Sequence, residues 1–217
     1  MRRILLALAL VLPLAALAQD NDIDKINGTA RVEAGQRAGD VSTVNGAVRI
    51  GAGAVVKEAS TVNGAVELGD KAQADKVGTV NGAVSLGSGS RVAGEVEATN
   101  GSIRLDRGAE VGGKLSNING AIALDAAHVA GGIETVNGDI TVGARSRIEG
   151  GILVNKSNSW FHFGDSRVPH IVIGPHAVVQ GTLEFRREVV LKVSDSAQIG
   201  PVKGATPVKF SGDAPAN

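Results

Sequence analysis

The chain has 217 residues, no cysteine and a formal net charge of zero. That length suits one sizeable domain, and the missing thiols exclude a disulfide framework, a lipid-modified cysteine anchor and a thiolate metal site. A balanced charge removes the electrostatic case for nucleic acid or an anionic membrane surface as partner. With one Trp, four Phe and no Tyr against 30 Gly, the composition suits a narrow core of aliphatic residues.

Met1-Arg2-Arg3 is a short basic start, and the stretch from Ile4 to Leu17 is apolar apart from Pro13. Ala16-Leu17-Ala18 then offers small residues where a signal peptidase reads them. The apolar run is shorter than the ~20 residues a bilayer span needs. The pattern predicts a removable leader over residues 1–18, no integral membrane segment after its removal, and a periplasmic or secreted bacterial protein. Losing Arg2 and Arg3 takes 22 basic residues to 20 against 22 acidic ones, a net charge of −2. Residues 19–25 are mostly polar and read as a flexible lead-in.

From residue 26 the chain repeats. Asn-Gly pairs stand at Asn27, Asn45, Asn63, Asn81, Asn100, Asn119 and Asn137, separated by 18, 18, 18, 19, 19 and 18 residues. Apolar or small residues recur at fixed distances from each Asn. Three after it come Ala30, Val48, Val66, Val84, Ile103, Ile122 and Ile140, and five after it Val32, Ile50, Leu68, Leu86, Leu105, Leu124 and Val142. Eleven after it come Ala38, Val56, Ala74, Val92, Val111, Ala130 and Ile148. Immediately before it stand Ile26, Val44, Val62, Val80, Thr99, Ile118 and Val136. We expect these columns to line the interior. Period-two alternation within runs this short marks strands. A fixed period near 18 residues marks a stack of coils, because no single coil can bury its own apolar face. The predicted fold is therefore all-β, a single-stranded β-helix (β-solenoid) with three short strands per coil. The extra residue of the 19-residue coils falls beside Gly94 and Gly113, so Val96 and Leu115 should align with Val77 and Ile133. The Asn-Gly pairs read as corners, where Asn and Gly tolerate positive φ, and an inward Asn ladder would add side-chain amide bonds.

The pattern breaks after the seventh coil. Asn155 is in phase but is followed by Lys156, and Ser157-Asn158-Ser159-Trp160-Phe161-His162-Phe163-Gly164 interrupts the columns. They resume at Ile171, Ile173, Ala177, Val179 and Leu183, and again at Leu191, Val193, Ala197, Ile199 and Val202. We read a β-helix domain over 26–204 with about nine coils, an insertion near 155–167, and a loose tail over 205–217.

The segments Leu105-Asp106-Arg107-Gly108-Ala109-Glu110-Val111-Gly112-Gly113-Lys114-Leu115 and Ile173-Gly174-Pro175-His176-Ala177-Val178-Val179-Gln180-Gly181-Thr182-Leu183 resemble bactofilins. The shared grammar is apolar-Gly-x-x-Ala-x-Val-x-Gly-x-apolar. The Val-Asn-Gly-x-Ile units are similar to those of an adhesin-type β-strand-repeat family of exported proteins. The resemblance implies a right-handed β-helix able to polymerise end to end. Bactofilins are typically cytoplasmic or membrane-associated scaffolds, and the leader sets this chain apart from them.

Apolar positions five, eleven and seventeen after each Asn are six apart, which also resembles the hexapeptide repeat of left-handed β-helices, a group with acyltransferases and zinc carbonic anhydrases. An acyltransferase would need a catalytic His in a cleft, and His176 lies in a corner without a visible partner. A zinc site would need three His on adjacent coils. His128, His162, His170 and His176 are separated by 34, 8 and 6 residues and read as surface groups. Glu33, Asp106 and Asp125 share a corner position and read as corner residues. We therefore expect no enzyme activity, no cofactor and no metal. Two features read as interaction surface. One is an outward flat face of Thr43, Thr61 and Thr79 beside Asn45, Asn63 and Asn81, with Ala47, Ala65 and Ala83 next to them. The other is the aromatic cluster Trp160, Phe161 and Phe163, which either protrudes as a contact loop or, the preferred reading, packs against the flank of the stack. Self-association along the solenoid or through that face, or binding to glycan or another cell-envelope component, follows as the expected role.

Overall fold

A computed structural model of the chain describes residues 21–156, 167–215 and nothing between or beyond them. The predicted leader over residues 1–18 and the aromatic residues Trp160, Phe161 and Phe163, with His162, lie outside the described residues. Those described form an all-β solenoid of about nine turns without a helix. Each turn contributes one strand to each of three parallel sheets. Face one has ten strands, from Ile23–Asn27 to Val202–Lys203; face two has ten, from Ala30–Val32 to Val208–Phe210; face three has seven, from Gln73–Ala74 to Gln198–Ile199. Face three starts late. In the first coils it is reduced to single bridges from Arg37 to Val55 and from Val55 to Gln73. The ladders reach further than expected at both ends, into the predicted lead-in at Ile23 and into the predicted tail at Phe210.

The register is one coil per step. Val48 faces Val66, which faces Val84, and then Ile103, Ile122, Ile140 and Ile171. These residues and the column two further on are fully or almost fully buried. Stacking like on like at about 4.8 Å per coil lets each aliphatic side chain fill the same slot as its neighbours, and the core becomes a bundle of continuous rungs. A third column of small residues, Ala54, Ala72, Ser90, Ala109, Ala127, Ser146 and Ala177, fills the corner between faces two and three. Ser90 Oγ has no hydrogen-bond partner there.

The expected alignment of Val96 and Leu115 with Val77 and Ile133 holds. Three register expectations do not. In the coil after Asn119 it is Val129, not Ala130, that pairs with Val111 and Ile148. Its corner, from Leu124 to Val129, is one residue shorter, and the next corner takes the residue back. In the coil after Asn137, Val154 pairs with Thr135. That places Lys156, rather than Asn155, at the Asn position.

The third correction concerns face one. Its inward residues are Val41, Ala59, Val77, Val96, Leu115, Ile133, Ile152 and Leu183, and two residues on Thr43, Thr61, Thr79, Ala98, Asn117, Thr135, Val154 and Phe185. Because side chains alternate along a strand, a column with Val41 and Thr43 inside must turn Val44 outside. The column before each Asn therefore faces water, with Ile26 73%, Val44 41%, Val62 42%, Val80 42% and Ile118 46% exposed. The six-residue spacing thus does not describe three inward columns.

The corner between faces one and two is built by close stacking rather than by positive φ at Asn. None of the seven Asn residues has positive φ. At Gly82, also without positive φ, a Cβ would stand 1.9 Å from the Gly64 carbonyl oxygen. Any side chain there would force adjacent coils apart. Positive φ at this corner falls on glycine, at Gly28 (93°) and Gly120 (125°), and it recurs at the corner between faces two and three. Gly53 and Gly89 have it there, and so do the non-glycine residues Lys71, Ala126, Arg145 and His176.

Candidate functional site

The surface that distinguishes the molecule is the outer side of face one and the corner that follows. Its sequence-predicted residues divide between inside and outside. Thr43, Thr61 and Thr79 are only 3–6% exposed and cannot form a binding face. Each hydroxyl donates across the corner to the glycine carbonyl of the coil before: Thr43 to Gly28 at 3.1 Å, Thr61 to Gly46 at 2.9 Å and Thr79 to Gly64 at 3.0 Å. The stacked glycine carbonyls need a donor because they are partly buried and outside the strand ladder. Thr is the side chain that reaches them while its methyl packs in the core. In a later coil Asn117 takes the same position, donating to Gly101 and Gly120 carbonyls, and accepts from Thr135 at 2.6 Å.

Asn45, Asn63 and Asn81 are exposed, as predicted, and belong to a longer construction. Each Asn Nδ2 donates to the Oδ1 of the Asn one coil earlier: Asn45 to Asn27, Asn63 to Asn45, Asn81 to Asn63, Asn100 to Asn81, Asn119 to Asn100 and Asn137 to Asn119, at 2.8–3.2 Å. The ladder runs along the outside, not the inside. At its far end the Arg187 guanidinium donates to Asn137 Oδ1 and to the Val136 carbonyl. A second N–H and a second lone pair on each amide remain for a partner.

Beside this ladder runs the exposed Val and Ile column, which sequence reasoning placed in the core. The signal for its true side was the residue three earlier: Val41, Ala59 and Val77, two before each Thr, set the parity of the strand. Between and around the two columns in the second to fourth coils lie Ser42, Ser60 and Gly78 and the half-buried Ala47, Ala65 and Ala83. In these coils the strip is uncharged and repeats at about 4.8 Å; Asp24 precedes Ser42 in the same outward column and Glu97 follows Gly78. From Ile26 to Ile118 the strip runs about 24 Å, five coil steps.

Charge gathers at the margins. Arg49 pairs with Glu67 on face two at 3.1 Å, Lys76 with Glu95 at 2.7 Å, and Lys114 with Glu134 at 2.7 Å. The hydrogen bond from Lys76, with its charge, holds the Glu95 carboxyl below its ordinary range, and the same contact raises the Lys76 ammonium. The hydrogen bond from Arg147, followed by that from His128, lowers Glu149. His128 is on face three, His170 on face two and His176 at the corner between them. Asp106 pairs with Arg104 at 2.8 Å. Among the described residues no three His, Asp or Glu gather as they would around a metal ion. The hollows are shallow grooves, such as the one of about 350 Å³ between Lys114, Glu134, Ile152 and Glu184.

No helix among the described residues is long and apolar enough to cross a membrane. Comparison with family models, with curated proteins and with solved structures finds no match to this chain.

Proposed function

We propose that the chain is an exported, non-catalytic β-solenoid with a structural role, adhesive or polymer-forming, and that it acts by lateral association through face one. The observation that carries the reading is the exposed Val44–Val62–Val80 column beside the Asn ladder. Contiguous exposed apolar surface on a rigid element marks an interaction site. A partner that uses every rung must itself repeat at the coil spacing, and a second copy of the same solenoid does so by construction. Between Asp24 and Glu97, the outward positions Ser42, Ser60 and Gly78 carry no charge to oppose such pairing. The signal-peptide pattern of residues 1–18 supports export to the periplasm or beyond, where a rod held together without disulfides would work.

Replacing Val62 and Val80 together by Lys puts two like charges on the strip without touching the core. Light scattering and negative-stain microscopy of the purified protein should show concentration-dependent association of the wild type. The V62K/V80K protein should remain monomeric at concentrations at least about tenfold higher, a loss of ~1.4 kcal/mol. A wild type that stays monomeric throughout, or a double variant that associates equally well, would remove face one from the reading. Cell-wall glycan is a second reading, favoured by the unused amide N–H on each exposed Asn. Cosedimentation with purified wall material that V62K/V80K abolishes while the wild type stays monomeric would select it.

A further inference from the structure

The Asn ladder sets seven copies of the dipeptide that most readily attacks itself on the surface of one protein. In Asn-Gly the backbone nitrogen of Gly, unhindered by a Cβ on its own residue, can add to Asn Cγ. Ammonia leaves, and a five-membered succinimide forms. Water then opens the ring at either carbonyl to give aspartate or isoaspartate. In sum one water is consumed, one ammonia is released, and no electrons change hands.

Two features of the coil oppose this step. The Asn side chain is held by the neighbouring amides, and the Gly N–H, which must lose its proton before it can attack, donates to the next coil. The Gly28, Gly46, Gly64, Gly82 and Gly101 nitrogens donate to the carbonyls of Asn45, Asn63, Asn81, Asn100 and Asn119 at 2.8–3.0 Å. At the next corner the pattern stops. Asn137 N donates back to the Ile118 carbonyl at 2.9 Å, face-one pairing between these coils ends at Ser116 and Glu134, and among the described residues Gly120 N has no acceptor. The cause is local. Asn117 stands where Thr stands in the second to fourth coils, and its longer side chain pulls on the Gly120 carbonyl at 2.7 Å. Gly120 has φ 125° where Gly46 and Gly64 have 159° and 158°. Gly138, one coil further, still donates to Thr135 Oγ1 at 3.2 Å, and the side chain of Asn137 is clamped by Arg187.

We infer that Asn119-Gly120 is the modification site of this protein, the one Asn-Gly pair whose amide nitrogen is left available for succinimide formation, and that the other six are protected by the stack. The inference rests on the coil geometry alone and not on face-one association. The product places a carboxylate in the middle of the ladder. It cannot donate to Asn100 Oδ1, so two acceptors then face each other.

The test is peptide mapping by mass spectrometry of the purified full chain held folded in mildly alkaline buffer. A parallel sample in denaturant gives the intrinsic rate at each position. Relative to that rate, Asn119 should convert about tenfold faster than Asn45, Asn63 or Asn81, the effect of ~1.4 kcal/mol on a barrier. Equal conversion across the ladder, or faster conversion at Asn63 or Asn81, would overturn the inference. Asn117→Thr supplies a second arm, since it restores the corner chemistry of the earlier coils. Asn119 should then slow to the rate of its neighbours, and an unchanged rate would overturn the assignment of cause. Should that variant fold poorly, the comparison among wild-type positions still decides.

Discussion

Thr61 and Val62 are neighbours of nearly equal size that do opposite work. Thr61 is inside, bonded to the Gly46 carbonyl; Val62 is outside. Hydrophobicity alone assigns them the other way round, which is how sequence reasoning placed the Val column in the core. Two facts of physical chemistry overrule it. Strand alternation is strict, so Ala59 inside carries Thr61 inside. A partly buried glycine carbonyl must also find a donor, which Val cannot supply. The pair gives a direct test. Thr61→Val should destabilise by about 1 kcal/mol because it strands the Gly46 carbonyl. Val62→Thr should stay within about 0.5 kcal/mol of wild type, as surface changes do. Denaturant midpoints measure both, and the reverse order would mean that the parity of face one is misassigned.

At the scale of a single coil, the Asn-Gly period was legible because it repeats, and the apolar columns three and five after each Asn are buried as expected. What sequence spacing could not resolve was how a coil distributes its length. The coils beginning at Asn45 and Asn119 both span 18 residues, yet the second has one corner shorter and another longer, and so Val129 rather than Ala130 enters the core. Only pairing with the coils on either side fixes that choice. Glycine was legible as corner chemistry: at the Asn-Gly corner positive φ falls on glycines such as Gly28 and Gly120 and on none of the Asn residues, while at Gly82 it is close stacking that excludes a side chain. Gly82→Ala should cost about 3 kcal/mol, the upper range for forced overpacking, because its Cβ meets the backbone of the coil before. Gly35→Ala should cost only the left-handed backbone penalty of about 1–2 kcal/mol, since nothing lies within 4 Å of its Cβ. Thermal unfolding of the two variants separates packing from backbone conformation, and equal losses would refute the distinction.

Across the whole molecule, stability is shared between aliphatic rungs inside and polar ladders outside. The polar share responds to pH. Glu95 has its pKa lowered in the fold, so the unfolded chain binds more protons as acid is added. Its contribution is present above the ordinary glutamate pKa and disappears as pH falls through the lowered folded value. Lys76, raised, contributes below its ordinary pKa and loses that contribution as pH rises through the raised one. Glu95→Gln should therefore be slightly less stable than wild type at neutral pH, with the two urea midpoints converging in acid. A gap that persists in acid would show that the loss is one of packing. None of these partners was legible in the sequence, because Lys76 and Glu95 meet only when one coil lies on the next. The same stacking gives the Asn ladder a direction. Every amide points its oxygen toward the later coils, so seven small dipoles add from Asn27 to Asn137, and the Arg187 cation sits at the negative pole as a basic side chain does at the end of an α-helix. A row of aligned dipoles has two unlike poles. Two such rows lying side by side are lower in energy when they run in opposite directions, so rods that meet along this edge carry, in their own polarity, a preference for antiparallel bundles over parallel ones.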